Sequence, residues 1–214
     1  MRVLPSGERA GLVERADLDE VLAWAGPVRE LAGVEDVVPG ERTLLVTVSA
    51  PEDLERLRLA LPHVASGAVA SSTRPRTVEI PVTYDGPDLA DVAAHTGLTV
   101  AEVVAAHQAT PWRVGFGGFA PGFAYLVSGD PRLEVPRRPE PRPSVPAGAV
   151  GLAGRYSGIY PRSSPGGWQL IGRTDVILFD VDADPPMLLQ PGMTVRFVAS
   201  VDRWPASAEA VPTP

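Results

Sequence analysis

Apolar positions in the first third of the chain change rhythm twice. "RVLPSGERAGLVE", residues 2 to 14, sets two short apolar runs around a polar centre and predicts a β-hairpin. From residue 18 the period lengthens, and Leu18, Val21, Leu22 and Ala25 recur at helical spacing. Asp17, with Glu20 three residues on, has the spacing of a capping box that opens this helix, and Pro27 should end or kink it. "VEDVV", a Pro39-Gly40 turn and "TLLVTVS" then read as two strands, followed by a second helix in "PEDLERLRLAL" with Pro51 near its start.

The stretch 66 to 76, "SGAVASSTRPR", is small, polar and Pro-containing, and marks a domain boundary. Residues 1–75 form the first domain, whose alternating strands and helices suit a ferredoxin-like layer of helices on an antiparallel sheet. Residues 76–205 form the second. It opens with the strand "TVEIPVTY" and two short helices: 88 to 95, stopped by Gly97, and 99 to 108, opened by Thr99 and Glu102 in a T-x-x-E box. Beyond residue 112 short apolar fragments alternate with Gly and Pro, the texture of a β-barrel or sandwich with functional loops. The tail, residues 206–214, is expected to be disordered.

Composition narrows the chemistry. A formal charge of −7 gives no footprint for nucleic acid or an anionic membrane surface. No cysteine is present, so disulfides, thiolate nucleophiles and cysteine-bound zinc are excluded. The basic residues are all Arg, and without lysine there is no Walker A loop, so this chain is not a P-loop ATPase. No apolar run approaches the roughly 20 residues of a membrane helix, and the N-terminus lacks a secretory h-region, so a cytoplasmic location is expected. The three histidines, 63, 95 and 107, have no metal-ligand spacing, and no metal site is expected.

Two motifs call for a choice between readings. Gly115, Gly117 and Ala120 match a dinucleotide-binding spacing, but Pro121-Gly122 follows at once and would break the helix that such a site needs. Phe116, Phe119 and Phe123 are then packing anchors or faces of a ligand loop. The Pro-rich "VPRRPEPRPSVP" reads as an extended connection.

The richest stretch is "YSGIYPRSSPGGWQLIGRT", 156 to 174. Pro165-Gly166-Gly167 is expected to make a turn whose N–H groups, with the hydroxyls of Ser163 and Ser164, could cradle a carboxylate or oxyanion. On the following strand Trp168 and Leu170 should face one way, and Gln169, Ile171 and Arg173 the other. Gln169 would then read a ligand, and Arg173 could pair with a carboxylate. His107, on the helix face of Val100, Val103 and Val104, is a weak acid/base candidate.

"GFAPGFAYL", "DPRLEVPRRPEPRPSVPAGAVGLAG", "SGIYPRSSPGGWQLIGRT" and "LLQPGMTVRF" together closely resemble the bacterial family of the 5-oxoprolinase B subunit, also known as allophanate hydrolase subunit 1 or carboxyltransferase subdomain C/D. The sporulation kinase inhibitor KipI belongs to the same family. The resemblance implies an α+β fold, a ferredoxin-like N-terminal α/β domain followed by a cyclophilin-like β-barrel. It implies a paralogous partner, the C subunit, with which this chain would form a site groove, and a further partner, the A subunit, that uses ATP with Mg. No cofactor would be bound by this chain. The implied substrate is 5-oxoproline, opened to glutamate; the alternatives are a urea-carboxylating or allophanate-hydrolysing assembly, or inhibition of a histidine kinase. Tyr160, Ser164, Gln169 and Arg173 are then the candidate substrate contacts. Phe119, Pro121, Gly122, Phe123, Tyr125, Pro161, Gly166, Gly167 and Trp168 are candidates for pocket or interface loops. Where relatives carry "GNQTGIYP", this chain has "GRYSGIYP", placing Arg155 and Tyr156 at the amide positions.

Overall fold

The computed structural model describes residues 2–65 and 76–200. The expected boundary stretch, apart from Arg76, and the expected disordered tail lie outside the described residues.

The N-terminal hairpin forms as β1 (Arg2–Pro5) and β2 (Ala10–Glu14), turning at Gly7 with φ of 70°. Helix α1 (Leu18–Arg29), strands β3 (Val34–Pro39) and β4 (Thr43–Val48) and helix α2 (Asp53–Ala60) follow, and the sheet order is β1-β2-β4-β3, antiparallel throughout. In a β-α-β-β-α-β layer the last strand lies at the edge beside the first. Here β1, which precedes β2 in the chain, occupies that edge, so the ferredoxin-like layer is completed from its N-terminal side. Val21, Val28, Val46 and Leu57 are among the side chains that helices and sheet bury between them.

Asp17 caps α1 by accepting from Glu20 N at 2.9 Å, but the Glu20 carboxylate returns to Ala16 N rather than to the cap residue itself. The helix does not end at Pro27. It runs two residues further, and the fully buried Val28 holds the last turn against the core.

The second unit contains β5 (Thr77–Val82), helices α3 (Leu89–Thr96) and α4 (Val100–Ala109), then β6 (Trp112–Gly117), β7 (Ala124–Val127), β8 (Arg142–Val145), β9 (Ala149–Ala153), β10 (Tyr156–Ile159), β11 (Ser164–Gly166), β12 (Gln169–Arg173) and β13 (Thr194–Ala199). Seven strands form one sheet in the order β12-β9-β10-β7-β6-β13-β5, parallel only between β13 and β5. Its two edges meet: Thr83 and Arg173 exchange two backbone hydrogen bonds of 2.9 Å each, which closes the sheet nearly into a barrel. The class is the α+β one anticipated, a ferredoxin-like layer beside a cyclophilin-like barrel.

Both short helices lie where their caps predict. Thr99 and Glu102 complete a reciprocal capping box at α4, and Gly97, at φ of 71°, ends α3 in the left-handed conformation. Their inner faces, Val92, Val103 and Ala106, enter the barrel core with Val114, Leu126, Val150 and Phe197. No single helix among the described residues is long and apolar enough to cross a membrane; α3 and α4 reach that length only as a pair bent by 88°.

The dinucleotide spacing at 115 to 120 sits on the end of β6 and the turn after it rather than on a helix start, and positive φ occurs at Phe119 and at Gly122 just beyond. The two units touch along α1, where Leu18 and Leu22 pack on Val127. Arg113–Asp19 at 2.6 Å and Arg155–Glu41 at 2.9 Å add ion pairs between them.

Candidate functional site

The Gly- and Pro-rich loops converge on a cleft of about 520 Å³. Its walls carry Phe119, Phe123, Tyr125, Tyr156, Tyr160 and Trp168, and Arg137 stands at its edge. Close packing of these rings depends on two glycines. A Cβ at Gly166 would lie 2.8 Å from the Tyr160 ζ carbon, and one at Gly158 would lie 2.9 Å from that of Phe123. With that space open, Phe123 meets Trp168 edge to face at 5.4 Å and Tyr160 at 5.5 Å. Burial raises the pKa of the Tyr125 and Tyr160 hydroxyls, with Arg137 opposing the rise in both, so they are neutral hydrogen-bonding groups at neutral pH.

Behind this cleft lies a charged clasp. Asp88, 1% exposed, accepts from Arg138 at 2.7 Å and Arg142 at 2.6 Å through one oxygen, and from Leu170 N at 2.7 Å through the other. Burial opposes its ionisation, but Arg142, the Leu170 N–H and Arg138 outweigh it and hold the carboxyl below its ordinary value. The clasp anchors the Pro-rich segment that follows residue 135. Arg138 N also donates to Gly167 O at 2.8 Å, and the Gln169 amide donates to Pro136 O at 3.2 Å. Residues 136 to 146 are thus less a connection than a wall, since they line this cleft and a second one.

The second cleft, about 570 Å³, lies between Asp85, Gly86, Arg142, Ser144, Leu170 and Arg173. Arg173 reaches Asp85 through Nε and Nη2 at 2.9 and 2.7 Å. A bulge between Leu170 and Gly172 breaks the strand's alternation. Trp168 and Leu170 share one cluster and Ile171 enters the barrel core, but Arg173 joins Leu170's cleft instead of sharing a face with Gln169.

The structure therefore brings together Tyr160, Gly166, Trp168, Phe119, Phe123 and Tyr125, and sets Arg173 apart. Ser164 is buried and its hydroxyl donates to Arg162 O at 3.0 Å, while the Ser163 hydroxyl meets that of Ser144 at 2.8 Å. Ser164–Gly166 is a short strand paired with β8, not an open turn, so the expected N–H cradle is absent there. Gln169, 3% exposed, leaves its carbonyl oxygen buried and unpartnered. Gly122 packs against Pro161, and Pro121 lies with Phe119 along a shallower apolar groove beside Val38 and Met187.

His107 lies elsewhere, wholly inside the barrel core. Its Nδ1 is 2.8 Å from the Tyr84 hydroxyl and its Nε2 3.0 Å from the Ser157 hydroxyl, while its ring stacks on Phe197 at 4.2 Å. Burial lowers its pKa to about 3. A neutral imidazole with both nitrogens engaged and no route to a ligand is a packing residue, so the acid/base role weighed for it has no geometric basis. Among the described residues no group of three His, Asp or Glu side chains is placed to hold a metal ion.

Residues 1–189 match the family model for the carboxyltransferase domain, subdomain C and D. The chain belongs to this family. Among its carboxyltransferase C and D relatives, the 5-oxoprolinase B subunit of Escherichia coli O157:H7 is 45% identical over 177 residues, covering 79% of each chain. The solved structure of TTHA0988 superposes with a TM-score of 0.77 at 37% identity over 92% of this chain, which spans about two fifths (41%) of that longer one. Urea amidolyase of Kluyveromyces lactis, 20% identical with a TM-score of 0.68 over 92% of this chain and 15% of its own, shares the fold.

In this family member the departures at Arg155 and Tyr156 have a visible use. Arg155 pairs with Glu41 of the ferredoxin-like layer, and Tyr156 lines the aromatic cleft with its hydroxyl buried from solvent. Sequence reasoning missed Asp88, Arg137, Arg138 and Arg142. In an all-Arg chain an arginine carries little signal by itself. The available clue was a set of four arginines among prolines at 137, 138, 142 and 162, where an extended backbone cannot hide its side chains.

Proposed function

We propose that this chain is the B subunit of an ATP-dependent 5-oxoprolinase and forms one wall of the site at which 5-oxoproline is opened to glutamate. The observation that carries this reading is the 45% identity to a 5-oxoprolinase B subunit over 79% of both chains. The aromatic cleft supports it, because its volume lies within the range of small-molecule sites.

An unstrained lactam resists hydrolysis because attack on its carbonyl costs amide resonance. In the proposed reaction ATP, held by the ATP-using partner, phosphorylates the lactam oxygen. Water adds at the ring carbon, the ring nitrogen leaves as the amine, and a second water releases phosphate from the acyl phosphate. This chain's part is to bind and orient the ring between Tyr160, Trp168 and Phe119 and to keep bulk water from the activated intermediate. The paralogous partner supplies the facing wall. The test is to co-purify the tagged protein with its partners and assay ATP-dependent formation of glutamate from 5-oxoproline. Turnover that requires this chain supports the reading; a complete complex of this chain with both partners that forms no glutamate overturns it.

The shared fold with urea amidolyase favours a urea-carboxylating assembly as second reading. That reaction needs a biotin-bearing partner, since this chain has no lysine to carry biotin. A biotinylated protein in the purified complex would transfer the assignment, and a histidine kinase recovered without turnover would make the chain a regulator.

A further inference from the structure

We propose that Arg137, and not Arg173, is the group that recognises the carboxylate of a small cyclic ligand in the aromatic cleft. The identity of the ligand as 5-oxoproline rests on the function proposed above; the class, a small ring bearing a carboxylate, rests on the geometry.

Four other arginines line clefts among the described residues, and each already pairs with a carboxylate, although Arg142 shares Asp88 with Arg138. Arg113 pairs with Asp19 at 2.6 Å, Arg142 with Asp88 at 2.6 Å, Arg155 with Glu41 at 2.9 Å and Arg173 with Asp85 at 2.7 Å. Arg137 is exposed at the edge of the aromatic cleft and makes no ion pair or side-chain hydrogen bond among the described residues. A cation left unpaired beside an apolar cavity is the arrangement in which an incoming carboxylate gains most, because it meets a guanidinium fork that no internal acid competes for.

The backbone that carries the fork is held in place. The residue before it is fixed by Gln169, whose amide donates to Pro136 O. The residue after it is fixed twice, by Arg138 N to Gly167 O and by the Arg138 side chain to the buried Asp88. The backbone of Arg137 is therefore clamped on both sides while its side chain stays free, which lowers the ordering cost of binding. Gly167 faces the same group: a Cβ there would be 3.7 Å from both Nε and Nη2 of Arg137, so the absent side chain leaves the approach to the fork open. The aromatic rings opposite would enclose an uncharged ring, and the neutral Tyr125 and Tyr160 hydroxyls offer donors and acceptors to an amide.

The experiment compares two ligands that differ only in the carboxylate, 5-oxoproline and 2-pyrrolidinone, on the purified complex. Binding is measured by calorimetry and, in parallel, KM and kcat by ATP-dependent glutamate formation. The wild-type complex should bind the acid more tightly. Arg137→Gln should weaken the acid about 10- to 100-fold, the loss of a charged hydrogen-bonded pair, while leaving 2-pyrrolidinone binding unchanged. KM should rise with kcat preserved, Arg137→Lys should recover part of the loss, and Arg196→Gln on the outer face of β13 should change neither. No preference for the acid in the wild-type complex, or a preference that survives in Arg137→Gln, overturns the proposal. If the preference is present and lost as expected but no glutamate forms, the carboxylate anchor stands and the oxoprolinase reading falls.

Discussion

Acidification should destabilise the fold through the buried imidazole, which the unfolded chain protonates and the folded chain does not. His107 is fully buried, and its pKa falls from the ordinary 6.5 to about 3 because the core disfavours the charged ring. The unfolded chain therefore binds this proton more readily than the folded one. Stability from the neutral ring is complete above pH 6.5 and is lost progressively as pH falls toward 3. Integrating the difference in proton binding from pH 7 to pH 5 gives a loss of about 2 kcal/mol from this one residue. That is a sizeable share of a typical domain stability of about 5–15 kcal/mol. Urea unfolding, followed by tryptophan fluorescence at pH 7 and pH 5, would compare the wild type with His107→Gln, which keeps a hydrogen-bonding side chain but does not titrate. Surface carboxylates contribute to both proteins and cancel in the comparison. The wild type should lose about 2 kcal/mol more than the variant over this interval. Equal losses would refute the argument, since they would mean that His107 is either solvated or already protonated when folded.

Three further outcomes follow from the same geometry. Asp88→Ala should destabilise the chain by about 2–4 kcal/mol in urea unfolding; it strips the partner from two guanidinium groups, and the figure is reduced because Arg138 and Arg142 retain 31% and 22% exposure. Gly166→Ala should push the Tyr160 ring out of place at a cost of about 1–3 kcal/mol, seen as a lower Tm together with a raised KM for the ring-containing substrate. Arg155→Ala, by contrast, breaks a pair whose side chains are 55% and 47% exposed, so thermal unfolding should register less than about 1 kcal/mol.

Where the sequence carried a periodic or capping signal, the structure follows it closely. Thr99 and Glu102 specify the start of α4, Gly97 specifies the end of α3, and the apolar face at 18, 21, 22 and 25 specifies α1. Local rules failed where a long-range contact outweighed them. Pro27 remains helical because Val28 is buried against a distant sheet, and the alternation after Trp168 breaks because Arg173 must pair with Thr83 to close the barrel. The aromatic half of the site was readable because Phe, Tyr and Trp among glycines are rare and bulky. Its charged half was not, because the pairing of Asp88 with arginines fifty residues away decides which cation is left over.

The segment from 136 to 146 is fastened on either side of an exposed middle, Pro139, Glu140 and Pro141. A strap of this kind separates two kinds of inheritance. Changes in the barrel strands must satisfy the packing of the whole core, whereas changes at Pro136 and Arg137, where the strap lines the aromatic cleft, alter what that cleft meets without disturbing the register of any barrel strand. Relatives that share this barrel could therefore diverge in ligand by varying one short loop, with the scaffold conserved beneath it.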